Sequence, residues 1–198
     1  MSNKRHSILP AIDRSGPKPP VNFSSTLIIS DNAILQGTHS ITMQAETVIH
    51  PRCRFESNEG SVLIGRRCIV HERAHIGARP ENPETAGTGG VAVGDYVQIE
   101  VGSIIESGGT EIGEGSLIQV GSKIGSGTKI GLMAAKNCTI SPMSVVAPGS
   151  TLPDYTVVYS NGTQRTDRRD ASDLRKLGMV KQIAVLRHMI PSNPDKFK

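Results

Sequence analysis

Tryptophan is absent from this 198-residue chain, and only 3% of residues are aromatic. Aliphatic side chains must therefore fill its core. No apolar run approaches the roughly 20 residues of a membrane span. The opening MSNKRHSILPAIDRSGPKPP has no apolar stretch of the kind a secretory signal carries, so a cytoplasmic location is expected. The three cysteines, Cys53, Cys68 and Cys138, are odd in number, widely spaced and free of any CxxC pair. That excludes a zinc ribbon or a disulfide framework and leaves buried reduced thiols. The net charge of +4 hides a division. Residues 1–20 carry +3 and residues 161–198 carry +5, around a middle of −4. A nucleic-acid binder needs basic residues gathered on its folded body, with aromatics for stacking, and this chain has neither.

What is present is a period of six. In TEIGEGSLIQVGSKIGSGTKIG (110–131), Ile112, Ile118, Ile124 and Ile130 recur at every sixth place. The same spacing links Phe23, Ile29, Leu35 and Ile41, then Met43, Ile49 and Phe55, then Ile64, Val70 and Ile76. It continues through Val93, Ile99 and Ile105, and closes with Ile140, Val146, Leu152 and Val158. A small residue, such as Ala33, Thr47, Cys53, Cys68, Ala74, Ser103, Ser116 or Ser122, stands two places before many of these. A helix repeats near 3.6 and a lone strand at 2, whereas hexapeptide periods belong to parallel β-helices. Each hexapeptide is read as a short strand plus a corner, with the aliphatic and the small residue both pointing inward. Three sides form a triangular coil of about 18 residues, and identical positions stack into ladders. Gly65, Gly77, Gly94, Gly113, Gly125 and Gly131 follow the aliphatic, where positive φ is expected. The glycine-rich stretch is no phosphate cradle, because no lysine and helix start follow at the required spacing.

The regularity breaks at residues 57–61, at ARPENPETAGTGG (78–90), which reads as a loop leaving a corner, and at 133–138. The expected organisation is a flexible arm over 1–20, a β-helix over 21–160 and a linker, helix and tail over 161–198. The helix is expected from about Ala171 to Met189, capped by Asp170 or Ser172 and stopped by Pro191. It carries two apolar stripes. One holds Leu174, Leu177, Val180, Ala184 and Val185, the other Met179, Ile183, Leu186 and Ile190. A helix on a β-helix flank needs one. Met179, Ile183 and Leu186 are expected to reach a partner.

The hexapeptide pattern resembles two groups of enzymes. The γ-class carbonic anhydrases hold zinc with three histidines, and His50, His71 and His75 are the candidate set. Three residues separate His71 from His75 where those enzymes place four, and LQGTHS stands where they carry an RGD-like coil. No metal or cofactor is therefore expected. The CoA-dependent acyltransferases need a general-base histidine, and residues 93–158 contain none. His39 lies earlier and His188 in the helix. Three longer segments, TVIHPRCRF (47–55), DYVQIEVGSI (95–104) and TLPDYTVVYSNGTQR (151–165), resemble the left-handed β-helix subunits of the dynactin pointed-end complex, and the branch numbered 6 in particular. The resemblance spans about residues 22–190, including the mid-chain insertion and the closing helix. It implies a left-handed parallel β-helix with a C-terminal α-helix and a non-catalytic role. The implied partners are dynactin subunit 5, subunit 4 and the pointed-end actin-related protein. Cargo adaptors of dynein follow indirectly, and so does a cytoskeletal location. Ile118→Asp places a charge in a dry ladder where each buried Ile contributes about 1.5–3 kcal/mol. It is expected to unfold the coils around it in a thermal melt, and an unchanged melt would reverse the inward assignment.

Overall fold

The computed structural model describes residues 16–81, 88–131, 137–169 and 172–198. Three sheets, parallel apart from one antiparallel strand at the end of the second, form the faces of a triangular prism, with seven, eight and six strands among the described residues. Strands three apart in sequence are neighbours in each sheet, so the chain passes from face to face and returns one coil further on. This is a β-solenoid of about six turns with one C-terminal helix, matching the hexapeptide-repeat left-handed β-helix.

The ladders are those expected from the spacing. On the first face Met43 pairs with Ile64, Ile64 with Val93, Val93 with Ile112 and Ile112 with Ile130. On the second, Ile49, Val70, Ile99, Ile118 and Ile140 stack in register. On the third, Phe55, Ile76, Ile105, Ile124 and Val146 do the same. All are buried. Ile41 departs from the six-residue reading. It pairs with Val62, two positions ahead of the Met43 ladder, and both Ile41 and Met43 point inward.

The small positions need a donor as well as small volume. Thr47 Oγ1 donates to the Gly65 carbonyl at 2.7 Å, Ser103 Oγ to Gln119 at 2.9 Å and Ser122 Oγ to Ser141 at 2.9 Å. Cys53 Sγ reaches the His71 carbonyl at 3.0 Å and Cys68 Sγ that of Gly94 at 3.1 Å. Each satisfies a corner carbonyl of the next coil that burial would otherwise leave unpaired. The cysteines thus serve as apolar substitutes for serine. All three are free and buried, and burial pushes the Cys53 and Cys68 thiols up to about 12.

The glycine expectation is corrected. Gly77 and Gly131 have φ of +80° and +56°, but Gly65, Gly94, Gly113 and Gly125 are not left-handed. The left-handed position falls two residues later, at Arg67, Tyr96, Gly115 and Gly127. The glycine directly after the aliphatic is required by close approach. A Cβ on Gly113 would lie 1.8 Å from the Gly131 oxygen, and one on Gly65 2.5 Å from the carbonyl carbon of Gly94.

The helix spans Ser172–Met189, and the expected start at Ala171 and cap at Asp170 lie outside the described residues. It returns along the outer second face from the fifth coil to the first. Lys176 Nζ meets Glu114 Oε1 at 2.6 Å near one end, and at the other the Ile29 N–H donates to Ser192 Oγ at 2.9 Å. Met179 and Ile183 pack against Ile28, Val48 and Ile69, with Leu186 and Ile190 partly buried beside them. The expectation for the second stripe is therefore corrected. Met179, Ile183 and Leu186 face the chain's own sheet rather than a partner, while Leu174, Leu177 and Val185 are exposed. The tail then turns over the first coil. Phe197 packs on the core edge with its ring 6.4 Å from Phe23, and Lys196 Nζ donates to the Asp31 carbonyl at 2.8 Å.

At the other terminus, the Gly37 and Ile41 N–H groups donate to the carbonyls of Pro17 and Pro20. Residues 16–20, expected within an arm, already lie along the first coil, while 1–15 fall outside the described residues. A short strand, Gln164–Thr166, pairs antiparallel with Thr156–Val158 where a linker is expected.

Gly113→Ala and Gly102→Ala separate the two glycine roles. Gly102 is left-handed at +67° with open space around its α-carbon, so its substitution costs about 1 kcal/mol. The Gly113 variant must push two backbones apart and is expected to cost about 3 kcal/mol or more in chemical denaturation.

Candidate functional site

Chemistry-bearing side chains concentrate in the second and third coils, where the second face turns into the third. His50 and His71 occupy the same corner position in successive coils, because the His50 N–H donates to Val70 and the His71 N–H to Ile99. Stacking of the coils brings their rings into parallel contact, with centroids 4.8 Å apart. His71 Nε2 lies 3.2 Å from the Gln98 amide nitrogen, while His50 Nε2 is buried without a hydrogen-bond partner. Burial holds both imidazoles below their usual 6.5, and His71 lowers His50 further. The turn is made by Arg52 and Arg73, left-handed at φ of 61° and 59°, where the later coils place Gly102 and Gly121. A non-glycine residue there carries a strain cost of order 1 kcal/mol.

His75 lies two strand positions past the Arg73 turn, on the outer third face, in register with Arg54 of the coil before. Its Nε2 lies 3.3 Å from Glu56 Oε1 and Arg54 Nε lies 2.6 Å from the same oxygen, both as ion-pair contacts without hydrogen-bond geometry. Arg54 Nη2 in turn donates to Gln36 Oε1 at 3.0 Å. Glu56 and His75 are largely shielded, with 13% and 27% of their side chains exposed. Burial lowers the His75 pKa most strongly. The Glu56 carboxylate opposes that shift and the Arg54 guanidinium adds to it. His75 is thus a neutral imidazole at neutral pH, with a carboxylate at one nitrogen.

The three histidines of the candidate zinc set do not form one site. His50 and His71 share a corner, whereas His75 is engaged by Glu56 on the adjoining face. Among the described residues, no three His, Cys, Asp or Glu side chains are grouped to hold a metal ion. His39 is held elsewhere, with its Nδ1 2.9 Å from the Ser57 carbonyl. Sequence reasoning passed over Glu56 and Arg54. The available signal is an acid directly after the third-face aliphatic, as in Phe55–Glu56 and again in Ile105–Glu106.

No protein-family model matches the sequence, and no curated protein matches it. Solved structures do. A hexapeptide transferase family protein from Anaplasma phagocytophilum aligns over 86% of this chain and 95% of its own, with a TM-score of 0.69 at 12% identity. A protein assigned as an acetyltransferase from Bacillus cereus aligns over 86% of this chain and 96% of its own, with a TM-score of 0.59 at 16% identity. At such identities the likeness establishes the fold, and the class it defines is the hexapeptide-repeat left-handed β-helix. Nothing in these findings supports the resemblance to dynactin. They also overturn the expectation of a non-catalytic subunit, which rested on that resemblance: the solved structures similar to this chain are of proteins named as transferases. Among the described residues no helix is long and apolar enough to cross a membrane.

All three half-buried histidines have lowered pKa values, so the native chain binds fewer protons than the unfolded chain around and below pH 6.5. Stability is then full above that pH and is lost as pH falls through the depressed values. Melting temperatures are expected to drop as the pH falls below about 6.5. The double variant His50→Gln/His71→Gln is expected to flatten that slope, and an unchanged slope would contradict the burial assignment.

Proposed function

We propose that the chain is an acyltransferase of the hexapeptide β-helix class, with His75 as general base and Glu56 as the residue that positions it. The observation that carries this reading is the His75–Glu56–Arg54 set on the third face. It places a shielded neutral imidazole within ion-pair distance of a carboxylate that can orient it, the pairing that general-base catalysis uses. The transferase names of the structurally similar proteins support it.

With Nε2 directed at Glu56, Nδ1 is the nitrogen that takes a proton. An acceptor amine or hydroxyl gives that proton to His75 as it attacks the carbonyl of an acyl thioester. The tetrahedral intermediate collapses with cleavage of the carbon–sulfur bond. The leaving thiolate recovers the proton from the imidazolium, so the products are an amide or ester and a free thiol. Glu56 stabilises the imidazolium while it exists, and Arg54 holds Glu56 in place. The acyltransferase expectation looked for a histidine in the later coils. The base proposed here lies in the third coil.

The test is release of free thiol from acetyl-coenzyme A with a panel of small amines and alcohols. His75→Ala is expected to lower kcat at least 100-fold, in line with the usual contribution of a general base. Glu56→Gln is expected to lower kcat less and to shift the acidic limb of the pH profile downward. That direction follows because the carboxylate raises the His75 pKa. Full activity of the His75→Ala variant alongside its loss in His50→Ala would move the base to the corner pair. No turnover with any acceptor would refute the reading.

A further inference from the structure

Two coils beyond His75, the third face holds a second polar group that the histidine network does not use. The 78–90 insertion leaves the third coil and brings Glu81 to the fifth, where Lys123 pairs with it. Lys123 also meets Glu106 at 3.1 Å, and the other Glu106 oxygen accepts the Ser126 N–H at 3.1 Å. These side chains line a cleft of about 130 Å³ whose opposite wall is Val145 and Pro148. Glu106 is 3% exposed and Ser126 2% exposed, yet the Ser126 Oγ has no hydrogen-bond partner. A buried hydroxyl without a partner is destabilising unless something binds it. Two carboxylates against one ammonium leave the cleft one negative charge. The hydrogen bonds that Lys123 donates to Glu81 and Glu106 keep it protonated.

The register ties this cleft to the base. His75 pairs with Ile104 and Ile104 with Lys123, so the two polar groups are two strand spacings apart, roughly 10 Å. Ile104 lies midway on the outer face, and its side chain is partly exposed at 37%. An ammonium-binding end, an aliphatic floor and a general base therefore follow one another along a single face. We propose that the cleft is the acceptor subsite, and that the acceptor is a small aliphatic amine with two functional ends. Its ammonium would sit at Glu106, Glu81 and Ser126, its methylenes over Ile104, and its far amine or hydroxyl at His75. This rests on the acyl-transfer reading for the reaction, but not for the binding.

Calorimetric titration of hexamethylenediamine, aminohexanol and hexylamine into the intact protein, with no thioester present, tests it. Saturable binding of all three is expected, with affinity falling at least ten-fold in Glu106→Gln. Ser126→Ala is the stricter variant. It removes an unpartnered hydroxyl, so the melting temperature should hold or rise while amine affinity falls several-fold. Unaltered affinity in both variants, or no binding by the wild type, would overturn the subsite. In turnover with acetyl-coenzyme A, hexamethylenediamine and aminohexanol should be acylated while hexylamine competes without reacting. Binding with no acylation of any amine would instead refute the acyl-transfer reading and leave the amine site standing. Preferential acylation of hexylamine would overturn the proposed orientation.

Discussion

Backbone hydrogen bonds between successive coils are the interaction on which the rest of this structure depends. Their nearly constant direction sets each residue above its counterpart one coil earlier. Ladders, corners and sites alike follow from that stacking. An inward isoleucine meets an isoleucine, and a glycine after the aliphatic meets the backbone of the next corner. A serine, threonine or cysteine two places before the aliphatic meets a carbonyl that it can satisfy. Each strand is only two to four residues long and would be unstable alone. Stability is collective and passes from coil to coil, as in other solenoids.

A stacked prism must also end. At the first coil the core edge is covered from two directions, by Pro17–Pro20 and by the tail that carries Phe197. That tail reaches the first coil because the helix runs back along the second face, burying Met179 and Ile183 on its way. The helix thus couples coils far apart in sequence, in a fold whose other contacts are nearly all between neighbours. Its outer stripe, with Leu174 at 74% exposure, faces away from the prism.

The same stacking assembles the candidate chemistry. His50 and His71 touch because they occupy one corner position in adjacent coils. His75, Arg54 and Glu56 meet because the third face puts successive coils in register, and Ile104, Lys123 and Glu106 extend that face. Burial lowers the His75 pKa and Glu56 partly restores it, which leaves the imidazole able to accept a proton at neutral pH.

The sequence by itself determined the architecture. The period of six identified the inward ladder, and the odd, scattered cysteines read correctly as buried thiols. These features repeat, so local pattern encodes them. Tertiary structure alone decided which helix stripe turns inward. Both stripes are apolar, and only the outward row Ile28, Val48 and Ile69 selects Met179 and Ile183. It also decided why the corner glycines are needed, since a clash with the next coil is invisible within one hexapeptide. The partners of His75 belong to the same class. Glu56 and Arg54 lie about twenty residues away, joined to it only by the length of a coil. A search for a histidine in the later coils could not find one whose carboxylate neighbour stands one coil before it. Residues one coil apart become neighbours only when the coil-to-coil hydrogen bonds form, and those bonds set the geometry that chemistry requires.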